Sequence, residues 1–94
     1  MISDNTVQRV KDLSIVDVLG TYVKLQRQGA NYVCCCPFHG EKSPSLNVSP
    51  SKNLWHCFGC DRGGDAIKFV MELQNIEFHT AVEEIAKSNG VYVE

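Results

Sequence analysis

Two short runs in this 94-residue chain pair strong metal donors at equal spacing, Cys36-Pro37-Phe38-His39 and Cys57-Phe58-Gly59-Cys60. Each leaves two residues between its donors. A turn of that length sets both side chains on one side, where they can share a tetrahedral ion. Seventeen residues separate His39 from Cys57, enough for a hairpin to return the second turn beside the first. Three thiolates and one neutral imidazole are borderline-soft donors and suit one Zn²⁺ in a closed, four-coordinate structural site. Cys36, His39, Cys57 and Cys60 are therefore the candidate metal ligands, with Gly59 expected to tighten the second turn. A closed site leaves the ion no position for water, so no catalytic residue is expected in the chain. His39-Gly40-Glu41 ahead of Cys57 and Cys60 imitates a zinc-deaminase pattern. The imitation fails because Cys36 would fill the place of the reacting water, and His56 rather than Pro precedes the second pair.

The other donors read differently. Cys34 and Cys35 stand in a strand directly before Cys36, where neighbouring side chains point to opposite faces. Only Cys36 has the spacing to His39, so the other two read as small apolar residues. His56 reads as a strand residue on the exposed face and His79 as a surface residue near a helix start. Five cysteines are an odd number, and the opening Met1-Ile2-Ser3-Asp4-Asn5 has neither a basic start nor an apolar run. A reducing, cytoplasmic setting is expected, which favours metal over disulfides.

The elements that must position these donors change character along the chain. Val7, Val10 and Leu13 recur every three residues after Ser3 and Asp4, as in a helix. Ser14 with Asp17 three positions later, closed by Gly20, predicts a second short one. From Tyr22 to Cys57 the pattern becomes short strands broken by turn residues: Tyr22–Leu25, then Asn31–Cys35 across Gln28-Gly29. Leu46–Val48 and Leu54–Cys57 follow, joined by the Ser49–Asn53 turn cluster. After Gly63-Gly64 the helical period returns. Asp65 caps a helix with Ala66, Ile67, Phe69, Val70 and Leu73 on its apolar face. A last helix spans about Phe78 to Ser88, with Ala81, Val82, Ile85 and Ala86 inward and Gly90 as its cap. The predicted class is α+β: a small antiparallel sheet built around the cysteines, flanked by N- and C-terminal helices.

Size and charge bound the function. At 10.5 kDa, 44% hydrophobic and 21% charged, residues 1–94 make one ordinary globular domain. Such a chain buries only about 60–65% of its unfolded surface and often needs a staple. No apolar run approaches the ~18–20 residues of a membrane span, so no membrane partner is expected. The net charge of −2 is unevenly spread. Residues 24–62 hold Lys24, Arg27, Lys42, Lys52 and Arg62 against Glu41 and Asp61, while residues 63–94 hold six acidic residues against Lys68 and Lys87. The basic middle also carries every cysteine, which points to an anionic partner there.

The run Tyr32–Ser45, followed by His56-Cys57-Phe58-Gly59-Cys60 and Gly63-Gly64-Asp65-Ala66, resembles the N-terminal zinc-binding domain of bacterial DNA primases. Ser14–Val18 and Tyr22–Leu25 look like that domain's opening helix and first strand. Phe69–Glu72 and Ala81–Ala86 look like its closing helices. The resemblance implies a zinc ribbon whose sheet presents basic and aromatic residues to single-stranded template DNA. It implies zinc on Cys36, His39, Cys57 and Cys60, and it sets Lys42 and Pro44 on the DNA-facing surface. Leu46, Asp61-Arg62 and Ala30 depart from the family's usual residues there. They leave the zinc ligands untouched but bear on the strength of DNA contact.

Physical chemistry adds Lys24, Arg27, Lys42 and Lys52 as phosphate partners. Trp55, Tyr32 and Phe38 offer stacking faces for bases, each worth ~1–3 kcal/mol; the competing reading of Trp55 is sheet packing, and Phe38 and Phe58, inside the knuckles, read more as shields of the metal. The expected function is a template-recognition module that helps select the start site for RNA primer synthesis. It would serve a primase polymerase core, and a replicative helicase indirectly through other primase domains. The alternative is a protein–protein adaptor docking a basic partner through Glu72, Glu77, Glu83 and Glu84.

Overall fold

The computed structural model describes residues 4–38 and 45–93. Helix α1 (Asp4–Lys11) and helix α2 (Ile15–Gly20) open the chain. Strands β1 (Gln26–Gln28), β2 (Asn31–Cys34), β3 (Leu46–Ser49), β4 (Leu54–Cys57) and β5 (Arg62–Gly64) follow, and helices α3 (Ala66–Gln74) and α4 (Phe78–Ser88) close it. The five strands form one antiparallel meander in the order β1-β2-β3-β4-β5. This is the expected α+β architecture.

Strand parity decides what the sheet buries. Cys34 pairs with Leu46 and Leu46 with Cys57, while Tyr32 pairs with Val48 and Val48 with Trp55. Those residues face the helices, and Leu46, Val48, Trp55 and Cys57 join Ile15, Leu19, Phe69, Val70, Val82 and Ile85 in one core. The opposite parity, Val33–Asn47–His56–Gly63, faces away from them. Among the described residues, the helices thus cover one side of the sheet only.

Several local features match the sequence expectation. Asp65 caps α3, its Oδ1 accepting from the Lys68 amide at 2.9 Å. Asn75, in the left-handed region (φ 54), ends that helix. α4 ends in a Schellman motif: Gly90 takes φ 71 and the Val91 amide donates to the Ala86 carbonyl at 2.8 Å. The β1–β2 hairpin turns on Gly29-Ala30, one position beyond the expected Gln28-Gly29, with Gly29 at φ 64. A positive φ at the first of two loop residues is what a II′ hairpin demands of glycine.

Four expectations need correction. Tyr22–Leu25 is not a strand: the amides of Tyr22 and Val23 bond back to the Leu19 carbonyl, and the three apolar side chains pack on the core from a loop. The Ser14 side chain caps nothing. The first amide of α2, Ile15 N–H, instead donates to Asn53 Oδ1 at 2.8 Å, and Asn53 Nδ2 donates to the carbonyls of Lys11 and Leu13. The third correction is β5, formed by Arg62-Gly63-Gly64. A Cβ on Gly63 would lie 2.9 Å from the Trp55 carbonyl oxygen, so only glycine lets β5 lie so close to β4. Fourth, the left-handed residue at the second knuckle is Asp61 (φ 56) and not Gly59.

Candidate metal centre and nucleic-acid interface

β2 delivers Cys36 two residues beyond its end, and β4 ends on Cys57, which opens the turn to Cys60. The Sγ atoms of Cys36, Cys57 and Cys60 all lie within 4.8 Å of one another, with Cys36 Sγ 3.8 Å from Cys60 Sγ. In a tetrahedron with Zn–S bonds of about 2.3 Å the sulfurs stand about 3.8 Å apart, so this donor set fits one zinc ion. His39, the fourth expected ligand, lies outside the described residues. Cys34 is buried in the core and Cys35 is exposed; neither belongs to the cluster.

Electrostatics separates the three thiols. Burial pushes Cys36 up to about 12, with hydrogen bonds from the sulfurs of Cys57 and Cys60 adding to the rise and the Phe38 amide opposing it. Cys57 is also desolvated, which alone would raise it. The Ser45 hydroxyl, the Cys60 amide and the other two sulfurs favour its thiolate more strongly, and its pKa falls to about 6. The cluster thus has one thiol inclined to ionise and one inclined to hold its proton. A divalent cation stabilises all three as thiolates and displaces the remaining protons.

The first knuckle is tied to the core by aromatic contact. Phe38 lies 5.4 Å from Trp55 and 5.5 Å from Phe69, centroid to centroid, and Trp55 lies 5.4 Å from Phe69. Arg62 caps the group, its guanidinium carbon 5.3 Å from the Phe38 centroid and its Nη1 3.7 Å from Glu72 Oε1. Trp55 was expected to meet nucleic acid, but it is 2% exposed and donates its indole N–H to the Asp65 carbonyl at 2.8 Å. It is a core residue. The signal was in the sequence: Trp55 stands two residues before Cys57, and strand parity turns both to the same face.

The uncovered face of the sheet holds a groove of about 630 Å³ lined by Asn31, Asn47, Lys52, Leu54, His56 and Phe58 among others. Phe58 is 71% exposed and meets the His56 ring edge-to-face at 4.7 Å. His56 Nε2 lies 3.1 Å from Asp61 Oδ1. Of the expected phosphate partners, Lys52 borders this groove. Arg27 pairs with Tyr32 on the other parity and lines a separate cleft of about 410 Å³ with Asp17 and Pro50. Lys24 is exposed. Lys42 and Pro44 lie outside the described residues. The sequence reading did not single out Phe58, His56 and Asn47 as a face. Their alternation with Val48, Trp55 and Cys57 was its available signal.

Residues 2–94 match the family model described as CHC2 zinc finger. The chain is 48% identical over 91 residues to the DNA primase of Geobacillus stearothermophilus, covering 96% of this chain and 15% of that protein. It is 51% identical over 79 residues to the DNA primase of Pseudomonas aeruginosa, covering 84% of this chain and 12% of that one. Among solved structures it is similar to the crystal structure of the Aquifex aeolicus primase (zinc-binding and RNA polymerase domains), with a TM-score of 0.85 and 42% identity. That match covers 95% of this chain and 22% of the other. The chain therefore spans only a small part of the length of the primases it resembles. Family description and sulfur cluster agree on one structural zinc.

Proposed function

The chain belongs to the CHC2 zinc-finger family, and on that premise we propose that it is the template-recognition domain of a bacterial-type DNA primase, working in the cytoplasm. Residues 1–94 act as one domain. Cys36, His39, Cys57 and Cys60 hold the zinc, which supplies a rigid, closed cross-link and no reacting position. The chain's own residues then do the binding. The observation that carries this reading is the uncovered sheet face, where amide side chains, an exposed Phe58 and Lys52 share one groove. Phe58 offers a ring on which an unpaired base stacks, and Asn31 and Asn47 offer donors and acceptors to base edges. Lys52, at the edge of that groove, meets the phosphates of a single-stranded template, with Lys24, Arg27, Lys42 and Pro44 as the further contacts proposed for the strand. Primer synthesis belongs to an RNA-polymerising core, and contact with a replicative helicase runs through other primase domains.

The adaptor reading finds less support. Glu72 is engaged by Arg62, and Glu84 accepts a hydrogen bond from Tyr22. Two of the four acidic residues it relies on are thus used inside the domain.

Fluorescence anisotropy with short single-stranded oligonucleotides tests the proposal. Binding is expected to weaken steeply with salt. Phe58→Ala should lower affinity about tenfold, in line with the ~1–3 kcal/mol a stacked base contributes, while zinc content stays unchanged. Affinity insensitive to salt, or equal binding by wild type and F58A, would contradict it.

A further inference from the structure

We infer that Ser45 is a positioning residue of the metal centre, its hydroxyl donating to the Cys57 thiolate while its carbonyl holds the knuckle that Cys57 opens. The inference rests on the zinc reading above. Ser45 Oγ lies 3.6 Å from Cys57 Sγ, and the Ser45 carbonyl accepts the Phe58 amide at 3.0 Å. Once a metal is bound, the sulfur is a thiolate and can only accept, so the hydroxyl is the donor.

The need for such a donor follows from burial. Cys57 is 0% exposed, so no solvent reaches its sulfur. Three thiolates, a neutral imidazole and Zn²⁺ leave the centre one negative charge, which is costly in a core unless hydrogen bonds meet it. Ser45 meets it from the start of β3, one residue before Leu46, whose partner across the strands is Cys57 itself. The serine therefore ties the first two residues of the second knuckle to the start of β3, Cys57 through its side chain and Phe58 through its backbone. Hydrogen bonds of this kind orient a ligand and tune how much charge it gives the metal.

Substitution separates the two contacts. Ser45→Ala removes the hydroxyl and leaves the carbonyl that holds Phe58, while Ser45→Thr keeps both. The experiment is zinc competition with a chromophoric chelator on the 94-residue chain, together with the absorption spectrum of its cobalt(II) form. Ser45→Ala should weaken zinc binding about tenfold, the lower end of the usual effect of removing an outer-shell partner. Its sulfur-to-cobalt charge-transfer band should move to lower energy, because the thiolate has lost a hydrogen bond. Ser45→Thr should restore both. The band is read on metal-loaded molecules, so loss of fold in the metal-free variant does not obscure it. Zinc affinity within twofold of wild type and an unmoved band in Ser45→Ala would overturn the inference alone. A wild-type cobalt form without thiolate charge-transfer intensity would overturn the zinc reading and the inference with it.

Discussion

Asn53 shows how much one side chain can hold together. It sits in the left-handed region (φ 57) at the β3–β4 turn, where its amide serves three backbone groups of the α1–α2 corner. Asn53→Ala strips the corner of all three bonds and strains the backbone. Urea denaturation should give a loss of about 1–3 kcal/mol, the cost of leaving partly buried groups unmet. Asn53→Gly keeps the turn and should still lose most of that amount; a glycine variant as stable as wild type would contradict the assignment. The sequence marked Asn53 as a turn residue but could not reveal its partners, which lie about forty positions away. Tyr22 offers a second test. Burial, then the charge of Glu84 and its hydrogen bond, raise the Tyr22 hydroxyl from 10.0 to about 12. Its neutral form is favoured in the fold, so its contribution is complete below pH 10 and is lost as pH rises from 10 towards 12. Denaturation midpoints should fall over that window more steeply for wild type than for Tyr22→Phe. Parallel curves would sink the reading.

Among the elements, those with clear periodicity were legible and those without it were not. α4 is found at Phe78–Ser88, as its apolar spacing required, and Asp65 caps α3. β5 was hidden because Gly63 and Gly64 carry no side chain to show an alternation. Tyr22–Leu25 misled because a loop packed against a core is apolar for the same reason as a strand. The clustering of Cys36, Cys57 and Cys60 was legible because two matched turns have few other uses; the groove was not, because polar residues on an open sheet face look like any solvated strand. The knuckles and the core meet at Phe38, Trp55 and Phe69. Trp55 is the chain's single tryptophan, so its emission reports on the first knuckle. Zinc removal by a chelator should shift that emission to the red and open it to acrylamide quenching, with a smaller change in Phe38→Ala. Emission indifferent to zinc would mean that the knuckle and the core are uncoupled.

For the whole molecule, the ion decides whether the chain has one structure. An ordinary domain is stable by about 5–15 kcal/mol, and structural zinc contributes an apparent ~10–16 kcal/mol in zinc-finger peptides. A core drawn from fewer than a hundred residues has little margin to spare once that contribution is lost. Among the described residues the helices cover one side of the sheet only, so the same ion that closes the fold also stiffens the open face. Native mass spectrometry of freshly purified chain tests this most directly. The account predicts one zinc per wild-type molecule in a compact charge-state distribution, and a metal-free, extended distribution for Cys57→Ala. Wild type that is compact without zinc, or Cys57→Ala that keeps a full equivalent, would contradict it.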